Sequence, residues 1–422
     1  MCMDRTVPAA AVIFALAVCL CVSAVAAKER AVKNAELRKR LEQLRSLPYS
    51  TVSPDSDTAE SGGVSVYDTS RAYRGYNLYA VPERGAALID MEGRIVHEWR
   101  NPIPDVNDFN EAKMLPGGDL LGVSERFGLV VLGWDSDVIL SRKMNAHHDA
   151  SRAGDGTYFA LSYETRRYRD LDFRFDTIMQ LSSELKPLRE WSTFDNLDRI
   201  KQAFDQRSFT DGILDSMIAA GISPAGQEQE LGRLGIRDLP QGDKLFDYFH
   251  LNTVSLLPDT PLGRKDQRFR AGNILTCARN VNQVAILDSA NFEIVWVWGE
   301  GVLEWPHHPT MLDNGNILIF DNGVLRKYSS VVEVNPVTKQ IVWQYIATPP
   351  ESFYSYQSGS AQRLPNGNTL ICEAAKGHTF EVTREGKIVW EWRNPVINAG
   401  RRVSIYRMLR LSPEEVEPLL AR

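Results

Sequence analysis

Cysteine is scarce in this chain of 422 residues: five in all, at positions 2, 19, 21, 277 and 372. The first three lie in the leader, and Cys277 and Cys372 have no metal-type spacing, which excludes a cysteine-built zinc site or a redox pair of neighbouring thiols. Two buried free thiols is the reading adopted; a bridge needs the two to meet in space. Basic residues are not in excess. Lysine and arginine number 48 against 54 acidic residues, so the net charge of -6 supplies no basic face for a polyanion and nucleic acid is not expected as a partner. Glycine-rich phosphate loops of the P-loop or dinucleotide type are absent, which removes the usual nucleotide cradles. Long apolar runs are absent too, except from Thr6 to Ala27.

That run follows Arg5 and ends in Ala24-Val25-Ala26, a small-x-small cleavage pattern. Its length also suits a membrane span, so residues 1–27 are a signal peptide or an uncleaved anchor, and residues 6–27 could hold the chain to a membrane. Both readings export the remainder, to the periplasm or the outer side of an inner membrane. Residues 28–66 read as a helical stalk, Lys28 to Leu47, and a Ser-, Asp- and Gly-rich linker from Tyr49 to Val66.

From about Tyr73 two short patterns alternate. One is a turn followed by an apolar strand, as in Leu312-Asp-Asn-Gly-Asn-Ile-Leu and Leu364-Pro-Asn-Gly-Asn-Thr-Leu. Asn-Gly provides the positive φ that such a turn needs. The other is a hairpin that often ends in tryptophan, as in Ala87 to Trp99 and Phe380 to Trp392. Each occurs six times. The turn glycines 118, 156, 272, 315 and 367 are spaced by 38, 116, 43 and 52 residues. Three of these gaps fit a four-stranded propeller blade of roughly 40–50 residues. The long gap holds a helical insertion at about 194–247, with segments such as Leu197 to Phe204 and Ile213 to Ile222. Trp99-Arg-Asn-Pro and Trp392-Arg-Asn-Pro put matching units at the two ends, as ring closure requires. The expected fold is all-β: a six-bladed propeller over 67–411 with a helical insertion, then a C-terminal helix over 412–422 opened by the capping box Ser412-Pro-Glu-Glu415.

Only seven histidines exist, at 97, 147, 148, 250, 307, 308 and 378. His308 lies seven residues before its turn glycine, His148 eight before its own, and His250 twenty-two before Gly272 because Asp259 to Phe269 lengthens that hairpin. The strand leading into such a turn is ordinarily a blade's innermost. Three histidines from three blades therefore converge on the channel, and Glu111 and Ser358 to Ser360 put polar groups at the same level. A lone histidine beside a turn is ordinarily structural; three at one repeat position favour a shared site. His307 and His147 alternate away from the axis and read as structural, as do His97 and His378. Asn252, two residues after His250, falls on the same strand face. Arg279 follows the strand Ile274 to Ala278; its planar fork suits a tetrahedral oxyanion, the alternative being a surface ion pair.

The His308 stretch ending Asn-Gly-Asn-Ile-Leu-Ile-Phe-Asp-Asn-Gly, the pair His250-Leu-Asn252, and His148-Asp149 resemble the bacterial arylsulfate sulfotransferases. Ser360-Ala-Gln-Arg-Leu-Pro-Asn-Gly-Asn-Thr-Leu-Ile-Cys-Glu373 is similar to the closing blade of the wider arylsulfotransferase-like group, and the likeness spans roughly 73–410. The resemblance implies an exported six-bladed propeller that moves a sulfuryl group from a phenolic sulfate to a phenol. It implies no nucleotide sulfate and no cofactor. His308 is the counterpart of the histidine that becomes transiently sulfated; His148, His250, Asn252 and Arg279 match positions that hold the sulfuryl oxygens. The chain departs from the best-known members in lacking room for their N-terminal β-sandwich and a close cysteine pair near the site. Two other readings stand beside this one: a non-catalytic envelope propeller that binds a ligand or partner, and a three-histidine zinc site.

Overall fold

The structure is a computed structural model and describes residues 62–81, 85–103, 109–125, 127–168, 171–204, 246–398 and 400–422. The leader, the stalk from Lys28 to Leu47 and the segment Ile213 to Ile222 lie outside the described residues. No helix among the described residues is long and apolar enough to cross a membrane.

Six antiparallel four-stranded units form the blades of a propeller, five of them built from consecutive strands. Blade 2 spans Glu111–Met114 to Val138–Lys143, and blade 3 spans Ala150–Arg152 to Pro187–Ser192. Blade 4 spans Leu251–Leu256 to Ile294–Trp298, blade 5 His307–Met311 to Gln340–Tyr345, and blade 6 Ser360–Arg363 to Ile388–Arg393. Blade 1 is composite. Its strands Tyr76–Val81, Gly85–Ile89 and Ile95–Arg100 are completed on the inner side by Met408–Leu411 from the far end of the chain. A second closure is made by Gly63–Tyr67, which adds a fifth strand outside Ile388–Arg393 of blade 6. Gly63 to Val66, expected as the end of a linker, is therefore part of the sheet: alternating Val64 and Val66 pair against Trp392 and Glu391.

The turn reading has a direct backbone counterpart. Gly118, Gly156, Gly272, Gly315 and Gly367 all have positive φ, between +84° and +98°. A side chain there would be strained. Apolar burial is distributed in six separate clusters, each between two neighbouring blades. Between blades 4 and 5, for instance, Val284 and Trp296 pack on Ile317 and Val332. Leu197–Ala203 is a helix whose Leu197 and Ile200 join the cluster between blades 3 and 4.

The outer strands carry a second repeat. Ile-Val-Trp recurs at 294–296, 341–343 and 388–390, with Ile-Val-His at 95–97. The Trp296 indole donates to Pro336 O (2.8 Å), Trp343 to Arg384 O (2.9 Å) and Trp390 to Met91 O (2.9 Å). Each bond ties a blade to the outer hairpin of the next. In blade 1 the His97 Nε2 meets Trp134 O at 3.0 Å and its ring stacks on Trp134 at 3.7 Å. His97 thus does in one blade what tryptophan does in three.

His378 is held between Glu373 (2.8 Å) and Glu391 (2.9 Å), binding strand to strand in blade 6. Burial opposes its charge, but the two carboxylate hydrogen bonds outweigh it and raise its pKa. Hydrogen bonding to His378 in turn lowers Glu391 to about 2. A raised histidine stabilises fully below its unfolded pKa and loses that contribution as pH rises through its folded value; a depressed glutamate loses its own as pH falls from the unfolded value toward about 2. Blade 6 is therefore expected to weaken on both sides of a mildly acidic optimum. His378→Gln should flatten the alkaline limb of the unfolding free energy, followed by urea titration at several pH values.

Candidate active site

The axis is polar, and three blades deliver their histidines to it in the same unusual way. His148, His250 and His308 precede or begin the inner strands of blades 3, 4 and 5, and all have left-handed backbone, with φ of 56°, 53° and 48°. Non-glycine residues in this region are strained by about 1–2 kcal/mol each, and such strain concentrates at functional positions. The ladders are also irregular just beyond two of them, between Leu251 and Val254 and between His307 and Thr310. A bulge re-aims the side chains beside it. The Asn252 amide donates to Pro306 O (2.9 Å) and its carbonyl accepts from Thr253 (3.0 Å). It fixes the loop that leads into His307 and His308.

The rings of His148 and His250 touch edge to face, with centroids 4.6 Å apart. Proton positions follow from their partners. His250 Nδ1 lies 2.6 Å from Asp247 Oδ2, so it carries the proton and donates to the carboxylate. Its Nε2 is buried with no hydrogen-bond partner among the described residues. His147 uses Nε2 to donate to Ser162 O (3.0 Å), which leaves its Nδ1 to accept from His148 Nδ1–H at 2.6 Å. His148 Nε2 then also bears a lone pair. His147 is accordingly structural, but its structural task is to set the tautomer of His148.

Burial and neighbouring positive charge both favour the neutral form of these rings. Burial lowers His250 well below the ordinary imidazole value, and Arg279 and Arg174 lower it further. Burial likewise lowers His148, followed by repulsion from His250 and His147. Arg279 is buried, lies in a 3-10 turn after Ile274–Ala278, and stacks over the Trp305 ring at 4.4 Å while Nε donates to Asn280 (3.1 Å). The surface ion pair is overturned by that burial. Asp176 receives Leu251 N–H (2.9 Å) beside His250; burial and then Asp247 raise its pKa well above the usual range. Of the two neighbouring acids, Asp247 is the one whose side chain meets the His250 ring.

His308 occupies the next blade in a different electrostatic setting. Burial depresses its pKa, then the positive charges of Arg407 and Lys113, while the Ala361 backbone pulls the other way. Its Nδ1 is buried without a hydrogen-bond partner among the described residues. Lys113 holds Asp149 at 2.5 Å, Arg407 lies 3.1 Å from Glu111 Oε1 and 3.6 Å from Asp149 Oδ1, and Asp149 neighbours His148 in sequence. Glu111 thus stands at the axis, in contact with a cation from the closing strand. His307 donates Nδ1–H to Asn322 (2.7 Å) and Trp305 O (3.0 Å), the structural role expected of it.

Asp247, Arg174, Lys113 and Arg407 were not picked out from the sequence. Asp247 had a signal, an acidic residue three before His250; Arg407 had none, being followed by a strand without a turn motif. Cys277 and Cys372 are free and buried. Among the described residues no group of three or more His, Cys, Asp or Glu is arranged to hold a metal ion. The three axial histidines are not a ligand set.

The family model of the arylsulfotransferases (ASST) matches residues 143–395, more than half of the chain. The chain belongs to the arylsulfotransferase family. The matched stretch contains His148, His250, Asn252, Arg279 and His308, whereas Glu111 and Arg407 fall outside it. No curated protein matches this chain. Among solved structures, a Bacteroides caccae protein of unknown function is 16% identical over 80% of this chain and 99% of its own, with a TM-score of 0.45. A streptogramin B lyase is 11% identical over 81% of this chain and 85% of its own, TM-score 0.43. A virginiamycin B lyase from Staphylococcus aureus is 9% identical over 83% and 89%, TM-score 0.43. At such scores these likenesses carry no argument about what this member of the family does.

Proposed function

We propose that the protein is an aryl sulfotransferase that carries a sulfuryl group from a phenolic sulfate to a phenol through a sulfated His308, without a nucleotide sulfate or cofactor. What carries this reading is the repeated left-handed backbone at His148, His250 and His308 in a chain of the arylsulfotransferase family. A neutral imidazole with an unengaged nitrogen is a competent nucleophile. In the first half-reaction the His308 lone pair forms a nitrogen–sulfur bond, and the sulfur–oxygen bond of the donor breaks toward the phenolate. In the second, the acceptor hydroxyl loses its proton, its oxygen forms a bond to sulfur, and His308 recovers its electron pair. Arg279 offsets charge on the sulfuryl oxygens.

His250, oriented by Asp247, serves as the proton carrier. It takes the acceptor proton on Nε2 and returns it to the phenolate that leaves in the next cycle. Arrival of an anionic donor favours the charged imidazole, because the donor offsets the Arg279 and Arg174 charges that depress it. The leader supports action outside the cytoplasm, periplasmic or anchored.

The test is incubation with a chromogenic aryl sulfate and a phenol, followed by mass spectrometry of the protein after donor alone. The wild type is expected to transfer the group and to carry an adduct at His308. His308→Ala should lose transfer by at least about a thousandfold, since a missing nucleophile leaves only binding and oxyanion stabilisation. Full transfer by that variant would overturn the assignment, and a wild type that turns over no aryl sulfate would favour a binding propeller.

A further inference from the structure

Two charged groups at the axis fall outside the matched stretch and have no role in the scheme above. Arg407 immediately precedes Met408–Leu411, the strand that closes the ring, and its side chain is 3% exposed. Its Nε has no hydrogen-bond acceptor among the described residues. Its Nη1 lies 3.1 Å from Glu111 Oε1, in an alignment that does not satisfy a hydrogen bond, and Glu111 Oε2 has no donor among the described residues. A buried guanidinium is normally fully engaged by acceptors. Here a planar fork beside His308 is only partly used, opposite a carboxylate that is only partly used. We propose that Arg407 is an anion-binding residue for the sulfate or sulfonate head of the substrate, and that Glu111 is the internal carboxylate that faces it when no anion is bound. The inference rests on the sulfuryl-transfer reading for its substrate class, but its geometry is independent of it.

The exchange has a pH signature. Burial raises Glu111 to about 7, with Arg407 and Lys113 opposing and Asp149 adding to the rise. The groups facing it are thus Lys113 on its own strand, Asp149 before blade 3 and Arg407 before the closing strand, with His308 beyond Arg407. Below about pH 7 Glu111 is neutral and leaves the guanidinium to an incoming anion; above it the carboxylate competes for Arg407 and repels the anion.

An aryl sulfonate such as p-toluenesulfonate presents the same head on a carbon–sulfur bond that cannot be transferred. Calorimetric titration of the full chain is expected to show binding that weakens as pH rises through about 7. Glu111→Gln should bind more tightly at pH 8 and lose that dependence. Removing Arg407 alone leaves the Glu111 carboxylate buried and invites misfolding, whereas Glu111→Gln leaves the guanidinium its contact with Asp149 at 3.6 Å, so the decisive variant is Arg407→Gln/Glu111→Gln, which removes both charges at nearly constant shape. It is expected to bind the sulfonate at least about tenfold more weakly than Glu111→Gln, the loss appropriate to a charge-assisted contact. Equal affinity in the two variants overturns the inference, whatever the enzyme does with aryl sulfates. Arg407-dependent sulfonate binding in a wild type that transfers nothing would sustain the inference and sink the transfer mechanism. Absence of sulfonate binding by the wild type would sink the inference, and transfer activity would then stand or fall by the His308 experiment alone.

Discussion

Asp247→Asn is expected to reduce sulfuryl transfer by about a thousandfold to ten-thousandfold while leaving the fold intact. The size follows from the analogous loss when an orienting aspartate is replaced in a Ser-His-Asp triad. The cause here is specific. Asp247 accepts two hydrogen bonds, from the His250 backbone N–H at 3.1 Å through Oδ1 and from the His250 ring at 2.6 Å through Oδ2. An asparagine has one acceptor and one donor to place at those positions. The backbone N–H can only donate, so it claims the carbonyl, and the amide NH₂ then faces Nδ1. His250 must shift its proton to Nε2, the nitrogen proposed above to receive the acceptor proton. The deficit should shrink with acceptor phenols acidic enough to ionise unaided, and a plot of log rate against acceptor pKa reads this directly. An equal deficit across all acceptors would show that Asp247 acts otherwise.

The second large effect is on stability. Arg410 and Glu381 form an ion pair at 3.1 Å with both side chains fully buried. Arg410 also donates to Asn77 Oδ1 (2.6 Å) and to Tyr73 O, and its backbone N–H reaches Gln362 Oε1 (2.7 Å). One residue thus joins the closing strand, the first strand of blade 1 and, through Glu381 and Gln362, blade 6. Burial lowers Arg410 to about 10, which still leaves it charged at neutral pH. Glu381→Ala abandons that charge in the interior and is expected to cost about 3–5 kcal/mol. Urea unfolding measures it. A loss below about 1 kcal/mol would mean that Asn77 and the Tyr73 carbonyl hold the guanidinium without help.

Much of the architecture was written in short-range chemistry. Asn-Gly turns and the positive φ they require are local, so Gly315 and Gly367 announced their blades without reference to the rest of the chain. The histidine spacing was legible for the same reason, being measured from those turns. What could not be read was anything decided between blades. The proton of His148 is set by His147, whose own proton is set by Ser162 across the blade. The partner of Asn252 was equally hidden, because its amide bonds to Pro306 O, on the loop into the next blade. Gly63 to Val66 passed for linker because its partner, Ile388–Arg393, is more than three hundred residues away. Arg407 was hidden in the same manner: a strand borrowed to finish another blade bears no turn of its own.

That borrowed strand gives the chemistry an order in time. A ribosome makes Arg407 and Met408–Leu411 after every other blade has been synthesised, so a growing chain can hold all three axial histidines and yet be an open ring with one wall missing. Blade 1, and with it the ring, can close only after Met408–Leu411 has left the ribosome.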